Sequence, residues 1–295
     1  MNSGSEAQAI PFSIGSFSIS GSPSFPALVF DDGAAVPLAS VLPLAGKKGI
    51  RLTGTDSVHG LLADWDWNFA CLSELVRCLA EDDDARGHRG GFMPEEFLKA
   101  GKLLTGPRQV FRRSSTDGRV SSLPHVVIGL PADPFFMPED MRDSRPVFSL
   151  GLVIGRMMRN VDETEAMGGI AGYCLATEIA SENADETFDR LGIPGTLPLG
   201  PLLVPRAFVS DAASLEYQLG LNGPPLERGR LGDLVQGIPA LVASLSRRTL
   251  LLPGDVLVLG GKSDLMCQPL QDGDIVEAVA TGLGRQMINI QCKEG

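Results

Sequence analysis

The chain has 295 residues, 43% of them hydrophobic, and a formal net charge of −11 at pH 7. That length and apolar content suffice for one large core or two modest ones, which excludes a disordered chain. The acidity excludes nucleic acid as an expected partner, since that recognition begins with a basic patch.

No run approaches the roughly 20 consecutive apolar residues of a membrane span, and the start MNSGSEAQAI lacks the basic segment and apolar core of a signal peptide. The expected location is the cytoplasm, with no membrane partner. Cys71, Cys78, Cys174, Cys267 and Cys292 are odd in number and far apart, so buried free thiols are expected rather than disulfides or a zinc knuckle. His59, His88 and His125 sit in no metal-type spacing.

In chain order, Phe12, Ile14, Phe17 and Ile19 precede the apolar run Ala27 to Phe30, which meets Asp31-Asp32-Gly33 before Val36, a hairpin signal. Leu61, Trp65, Phe69, Leu72, Val76 and Leu79 recur at three- and four-residue spacings, which predicts one amphipathic helix over 61–79 with Trp65 and Trp67 divided between core and surface. EDDDARGHRGG at 81–91 reads as a solvated loop or linker. Gly106-Pro107 then offers a boundary between an N-terminal α+β domain, residues 1–105, and a strand-rich domain, residues 106–295.

His125 opens the apolar segment HVVIGL, predicted as a strand with the histidine half-buried. In RPVFSLGLVIGRMMRNVDETEA, residues 145–166, Val147, Phe148, Leu150, Leu152, Val153 and Ile154 predict a strand covered on both faces, interrupted by the hydroxyl of Ser149. Asp162 and Glu165 then form a helix-opening pattern. In the next predicted strand, alternation puts Gly172, Cys174, Ala176 and Glu178 on one face, and Tyr173, Leu175, Thr177 and Ile179 on the other. Small residues leading to one carboxylate predict a recess floored by a strand. Pro239 suits the first turn of a helix ending at Arg247-Arg248, and LLPGDVLVLGG and LQDGDIVEAVATGLG each put Gly-Asp before a strand.

These motifs, with LPLGPLLVP between them, resemble in order and spacing the fumarylacetoacetate hydrolase superfamily, and the N-terminal segments are similar to the leader domain of its bacterial members. The resemblance implies an α+β, β-rich fold: a mixed β-sandwich roll behind a smaller N-terminal α+β domain, assembled as a homodimer. It implies chemistry on β-diketo or 2-oxo acids, with Mg²⁺ or a similar hard cation held by several carboxylates. The family pattern is Glu-x-Glu on the strand ending in Val-Ile-Gly, then Asn-Asp near the end of the next strand. Those positions fall on Val147, Ser149, Thr177 and Glu178, leaving one carboxylate. The family's catalytic histidine position is Val120, its pocket lysine matches Leu191, and its loop threonine matches Leu259, followed by Lys262 in LGGKSD.

The departures imply that the scaffold is kept without the metal, and no cofactor is expected. The expected role is a repurposed, metal-independent catalyst of enolisation, dehydration or cyclisation on a β-diketo, 2-oxo or polyketide-like acid. Glu178 is its general acid or base, Ser149 a hydrogen-bond donor to a carbonyl, and His125 a further candidate. A carboxylate facing Cys174 and Ala176 in an apolar recess is expected to hold its proton more tightly. Cys174, Thr177, Val147, Leu259 and Lys262 are the expected pocket lining. The alternatives are a non-catalytic binding or assembly paralogue, and a family-typical Mg²⁺-dependent C–C bond hydrolase, decarboxylase or hydratase, for which His125, Asp133 and Asp140 are the spare donors.

Overall fold

Alternating apolar residues open the chain as β1 (Ser13–Ser18), β2 (Phe25–Val29) and β3 (Ala34–Pro37). The predicted turn joins the last two, with Ala34 N donating to Asp32 Oδ1 at 3.0 Å and Gly33 at φ 77°, a left-handed value open to glycine. This computed structural model describes residues 9–19, 22–81, 93–94, 98–114, 118–131, 134–181, 193–260 and 268–292, without the side chains at 93, 94, 125 and 140.

Helix α1 (Leu38–Lys47) follows. The helix predicted over 61–79 is two helices, α2 (Val58–Leu62), N-capped by Ser57 Oγ accepting from Gly60 N, and α3 (Trp65–Glu81). Trp65 is 7% exposed and Trp67 52%, the division that a two-residue offset on a helix produces. Short strands β4 (Met93–Pro94) and β5 (Lys99–Ala100) lead to the hairpin of β6 (Val110–Arg113) and β7 (Val120–Leu123). The strand predicted from His125 begins instead as a 3₁₀ turn, His125–Val127, closed by Val127 N donating to Pro124 O at 3.2 Å, because Pro124 presets the turn. Only Ile128–Gly129 is extended, as β8.

After β9 (Phe135–Met137) come the two long central strands, β10 (Arg145–Ile154) and β11 (Ile170–Ala180). Between them lies α4 (Glu163–Ala166), whose predicted capping box of Asp162 and Glu165 is formed. Strands β12 (Leu197–Pro198), β13 (Leu202–Pro205), β14 (Glu216–Leu221) and β15 (Pro225–Arg230) precede α5 (Gly232–Val235) and α6 (Ile238–Arg248), the latter with Pro239 in its first turn. The chain closes with β16 (Val256–Gly260), β17 (Ile275–Ala280) and β18 (Gly284–Cys292).

Eleven strands form one sheet in the order β4-β3-β2-β1-β13-β11-β10-β16-β6-β7, with β5 beside β1, and a second sheet runs β15-β14-β17-β18-β9. Ile14 of β1 pairs with Leu203 of β13, so the large sheet crosses the boundary expected at residue 106. On one face, Val153, Cys174, Ala176, Val256 and Val258 pack with Leu72 and Val76 of α3; on the other, Phe148, Leu150, Leu175 and Leu257 pack with Val276 and Ile288 of the second sheet. Both faces of β10 and β11 are dry, hence their near-continuous apolar sequence. Among the described residues, no helix is long and apolar enough to cross a membrane.

The first Gly-Asp element has a further role. Asp255, 1% exposed, accepts from Leu252 N at 2.8 Å, from Gln109 N at 3.0 Å and from Arg108 Nη2 at 2.7 Å. One carboxylate thus closes the turn into β16 and clamps it to the start of β6, satisfying groups that burial would otherwise leave unpaired. The two strands therefore run parallel with Arg112 opposite Val258.

Candidate active site

Four strands meet where β10 and β11 carry their few polar residues. Val147 and Glu178 are cross-strand partners, Ser149 is opposite both Ala176 and Gly260, and Arg112 enters from β6. Residues of like parity on paired strands share a face, so Val147, Ser149, Glu178, Gly260 and Arg112 all point towards the helical side of the large sheet. Ser149 Oγ donates to Glu178 Oε1 at 2.5 Å. Arg112 Nε donates to Glu178 Oε2 in a close charge-assisted hydrogen bond. The pair meets over Gly260: a Cβ there would lie 2.9 Å from Glu178 Oε1 and 3.2 Å from Arg112 Nη2. The glycine is what lets the two charged side chains close on each other.

The expectation of a lone carboxylate in an apolar recess is corrected by this geometry. Glu178 is 8% exposed, and its two oxygens are taken by a hydroxyl and a guanidinium. Burying a carboxylate without such partners would cost several kcal/mol.

Thr177 and Leu259, expected in the pocket lining, are turned to the face opposite Glu178, the face that the two-residue period predicts for Thr177. Thr177 Oγ1 instead donates to Gln286 Oε1 at 2.5 Å, and Gln286 Nε2 donates to Gly200 O at 3.0 Å, a buried polar tie between the two sheets. Leu259 packs in the core between the sheets. Cys174 shares the face of Glu178 but is fully buried, with Sγ 3.7 Å from Gly151 O, so it supports the floor and lines no opening. Val147, 2% exposed, packs beside Glu178. The side chain of His125, the side chain of Asp140, and Asp133, Leu191 and Lys262 lie outside the described residues.

Burial pushes the Cys174 thiol up to about 12. An unfolded thiol ionises near about 8.5, so above that pH the unfolded chain loses a proton that the folded chain keeps, and stability falls as pH rises towards the folded value. The loss reaches about 2 kcal/mol by about pH 10. Urea midpoints measured between about pH 8 and 10 are expected to fall more steeply for the wild type than for Cys174→Ala. Equal slopes would show that the thiol ionises as readily folded as unfolded.

Sequence reasoning missed Arg112 and Gly260. The signal was present only as a basic pair ending a strand, Arg112-Arg113, which reads as ordinary solvation. The structure separates the two. Arg113 turns to the other face, where Nη1 donates to Gln236 O at 2.8 Å and Nη2 to Leu234 O, completing the C-terminal end of α5. Burial lowers the Arg113 pKa from its ordinary value.

Residues 88–291, more than half of the chain, match the family described as Fumarylacetoacetate (FAA) hydrolase C-terminal. The chain is 34% identical over 153 residues to the 4-hydroxyphenylacetate degradation bifunctional isomerase/decarboxylase of Salmonella dublin, a match covering 49% of this chain and 34% of that protein. It is 29% identical over 153 residues to maleylpyruvate hydrolase of Aquipseudomonas alcaligenes, covering 52% of each. The matched segment thus spans about a third to a half of these relatives' lengths. The fold is similar to that of maleylpyruvate hydrolase from Sphingobium sp. SYK-6 in complex with manganese (II) ion and pyruvate, with TM-score 0.73 and 17% identity over 96% of this chain and all of that one. With the family match over most of the β-rich part and the same architecture over nearly the whole length, the chain belongs to the fumarylacetoacetate hydrolase family.

Proposed function

We propose that this chain acts on a small 2-oxo or β-diketo acid by proton transfer at Glu178, without the divalent cation its family uses. The observation carrying this reading is the 2.5 Å hydrogen bond from Ser149 Oγ to Glu178 Oε1, two positions that the family resemblance matches to its metal ligands. A hard cation needs about six oxygen ligands, several of them carboxylates. Here two of the aligned positions are Val147 and Ser149, and the remaining carboxylate is neutralised by Arg112. Among the described residues, no group of three or more His, Cys, Asp or Glu is placed to hold a metal. These residues do not fit a divalent cation.

The chemistry follows from the two side chains. In the resting site the Ser149 hydroxyl donates to Oε1. A bound carbonyl oxygen competes for that hydrogen, and the hydroxyl turning to it frees Oε1 to accept a proton from the adjacent carbon. The C–H electron pair becomes the enolate, the hydroxyl bonds to the developing oxyanion, and transfer of the proton from Glu178 to that oxygen completes tautomerisation to the enol, while its return to carbon gives exchange. The homodimer implied by the resemblance is part of the proposal, supported by Phe136, Ile275 and Met287 exposed on the outer face of the second sheet. A non-catalytic binding role is the second reading, favoured by the ion pair that already satisfies Glu178.

The test is deuterium exchange at the carbon beside the carbonyl of pyruvate and acetopyruvate, followed by proton NMR with EDTA-treated protein. Exchange faster than the buffer blank, and unchanged on adding Mg²⁺ or Mn²⁺, is expected. Exchange only after metal addition would restore the family chemistry, and none in either condition would favour the binding role.

A further inference from the structure

We infer that Arg112 is the fixed cation of this site, and that the free edge of its guanidinium binds the carboxylate of a small 2-oxo acid while Ser149 takes the neighbouring oxo oxygen. The inference rests on the reading of the site as one for such acids and names the group that holds them.

Three arginines lie within residues 108–113, and two have structural tasks: Arg108 on Asp255 and Leu250 O, Arg113 on Leu234 O and Gln236 O. Arg112 differs. Its Nε is given to Glu178, and among the described residues its Nη groups donate to no partner. The side chain is 27% exposed, so the fork, unpaired among the described residues, reaches solvent. In a chain of net charge −11, an anion needs local positive charge to bind.

The fork is also oriented. Glu178 fixes Nε, and Gly260 presents no side chain beneath Nη2. A planar guanidinium held by one edge offers the other for two parallel hydrogen bonds to a carboxylate, which an ammonium cannot match. A divalent cation on a 2-oxo acid chelates one carboxylate oxygen and the oxo oxygen together. Here the same two oxygens are divided between Arg112 and the Ser149 hydroxyl, which meet on the one carboxylate of Glu178.

Oxalate carries two adjacent oxygens in the arrangement of an enolised 2-oxo acid and serves as the probe. In calorimetric titration of the full chain in EDTA, oxalate is expected to bind the wild type below about 1 mM, and Arg112→Lys to weaken it about 10-fold. Glu178→Gln is expected to keep or tighten binding, because it removes a competing carboxylate, even though it abolishes the proton exchange on which the proposed reaction depends. Losing exchange thus tests the reaction, while losing oxalate tests Arg112. Arg112→Met combined with Glu178→Gln leaves no unpaired charge, so it keeps the fold, verified by its melting curve, and is expected to give no oxalate heat. The inference is overturned if the wild type binds no oxalate up to about 10 mM, or if Arg112→Lys or the double variant binds it as tightly as the wild type.

Discussion

Glu178→Gln is expected to lower turnover of an accepted 2-oxo acid by roughly 10²-fold or more while moving the melting temperature by only a few degrees. The reason lies in the polarity of the two contacts. The amide oxygen can take the Arg112 Nε hydrogen, and the amide NH₂ then faces Ser149, whose hydroxyl accepts as well as it donates. All three groups stay satisfied, so the fold loses the charge of its ion pair but no hydrogen bond. Basicity is what disappears: an amide takes no proton from carbon at neutral pH. Steady-state rates and thermal melts on the same preparations separate the two effects. Full activity would remove Glu178 from the mechanism and move attention to His125 and Lys262.

What was legible in the sequence was set by local pattern. The doubly covered β10, the Asp32-Gly33 hairpin, the capping box at Asp162 and the faces of β11 all follow from residue periods and turn chemistry, which act within a few positions. Glu178 and Ser149 were reached because the family resemblance matches them to its ligand motifs, and their strands are paired. Arg112 was not, since its partner lies 66 residues away and the contact depends on β6 pairing with β16 at the far side of β10. Gly260 was hidden for the same reason. A glycine ending a strand gives no sign of the ion pair that will form above it. Thr177 and Leu259 were drawn to the pocket by alignment with family motifs, although strand parity, applied across all four strands, already turns them away.

The role of Arg112 in the fold is separable from its role in binding. Arg112→Met alone is expected to destabilise the protein by about 2–3 kcal/mol, less than the roughly 3–5 kcal/mol for breaking a fully buried ion pair, because this pair is partly open to solvent. The cost is mainly that of leaving Glu178 in place without its counter-ion, Ser149 alone remaining. Glu178→Gln added to Arg112→Met should therefore restore most of the loss, since a neutral amide carries a far smaller desolvation penalty. Urea denaturation of the wild type, both single variants and the double variant closes the cycle, and a coupling energy of about 1–3 kcal/mol is expected between residues in direct contact. Purely additive effects would mean that the guanidinium does not neutralise the carboxylate in solution. A large coupling would explain how the Glu178 carboxylate persists at 8% exposure: its counter-charge is part of the same sheet.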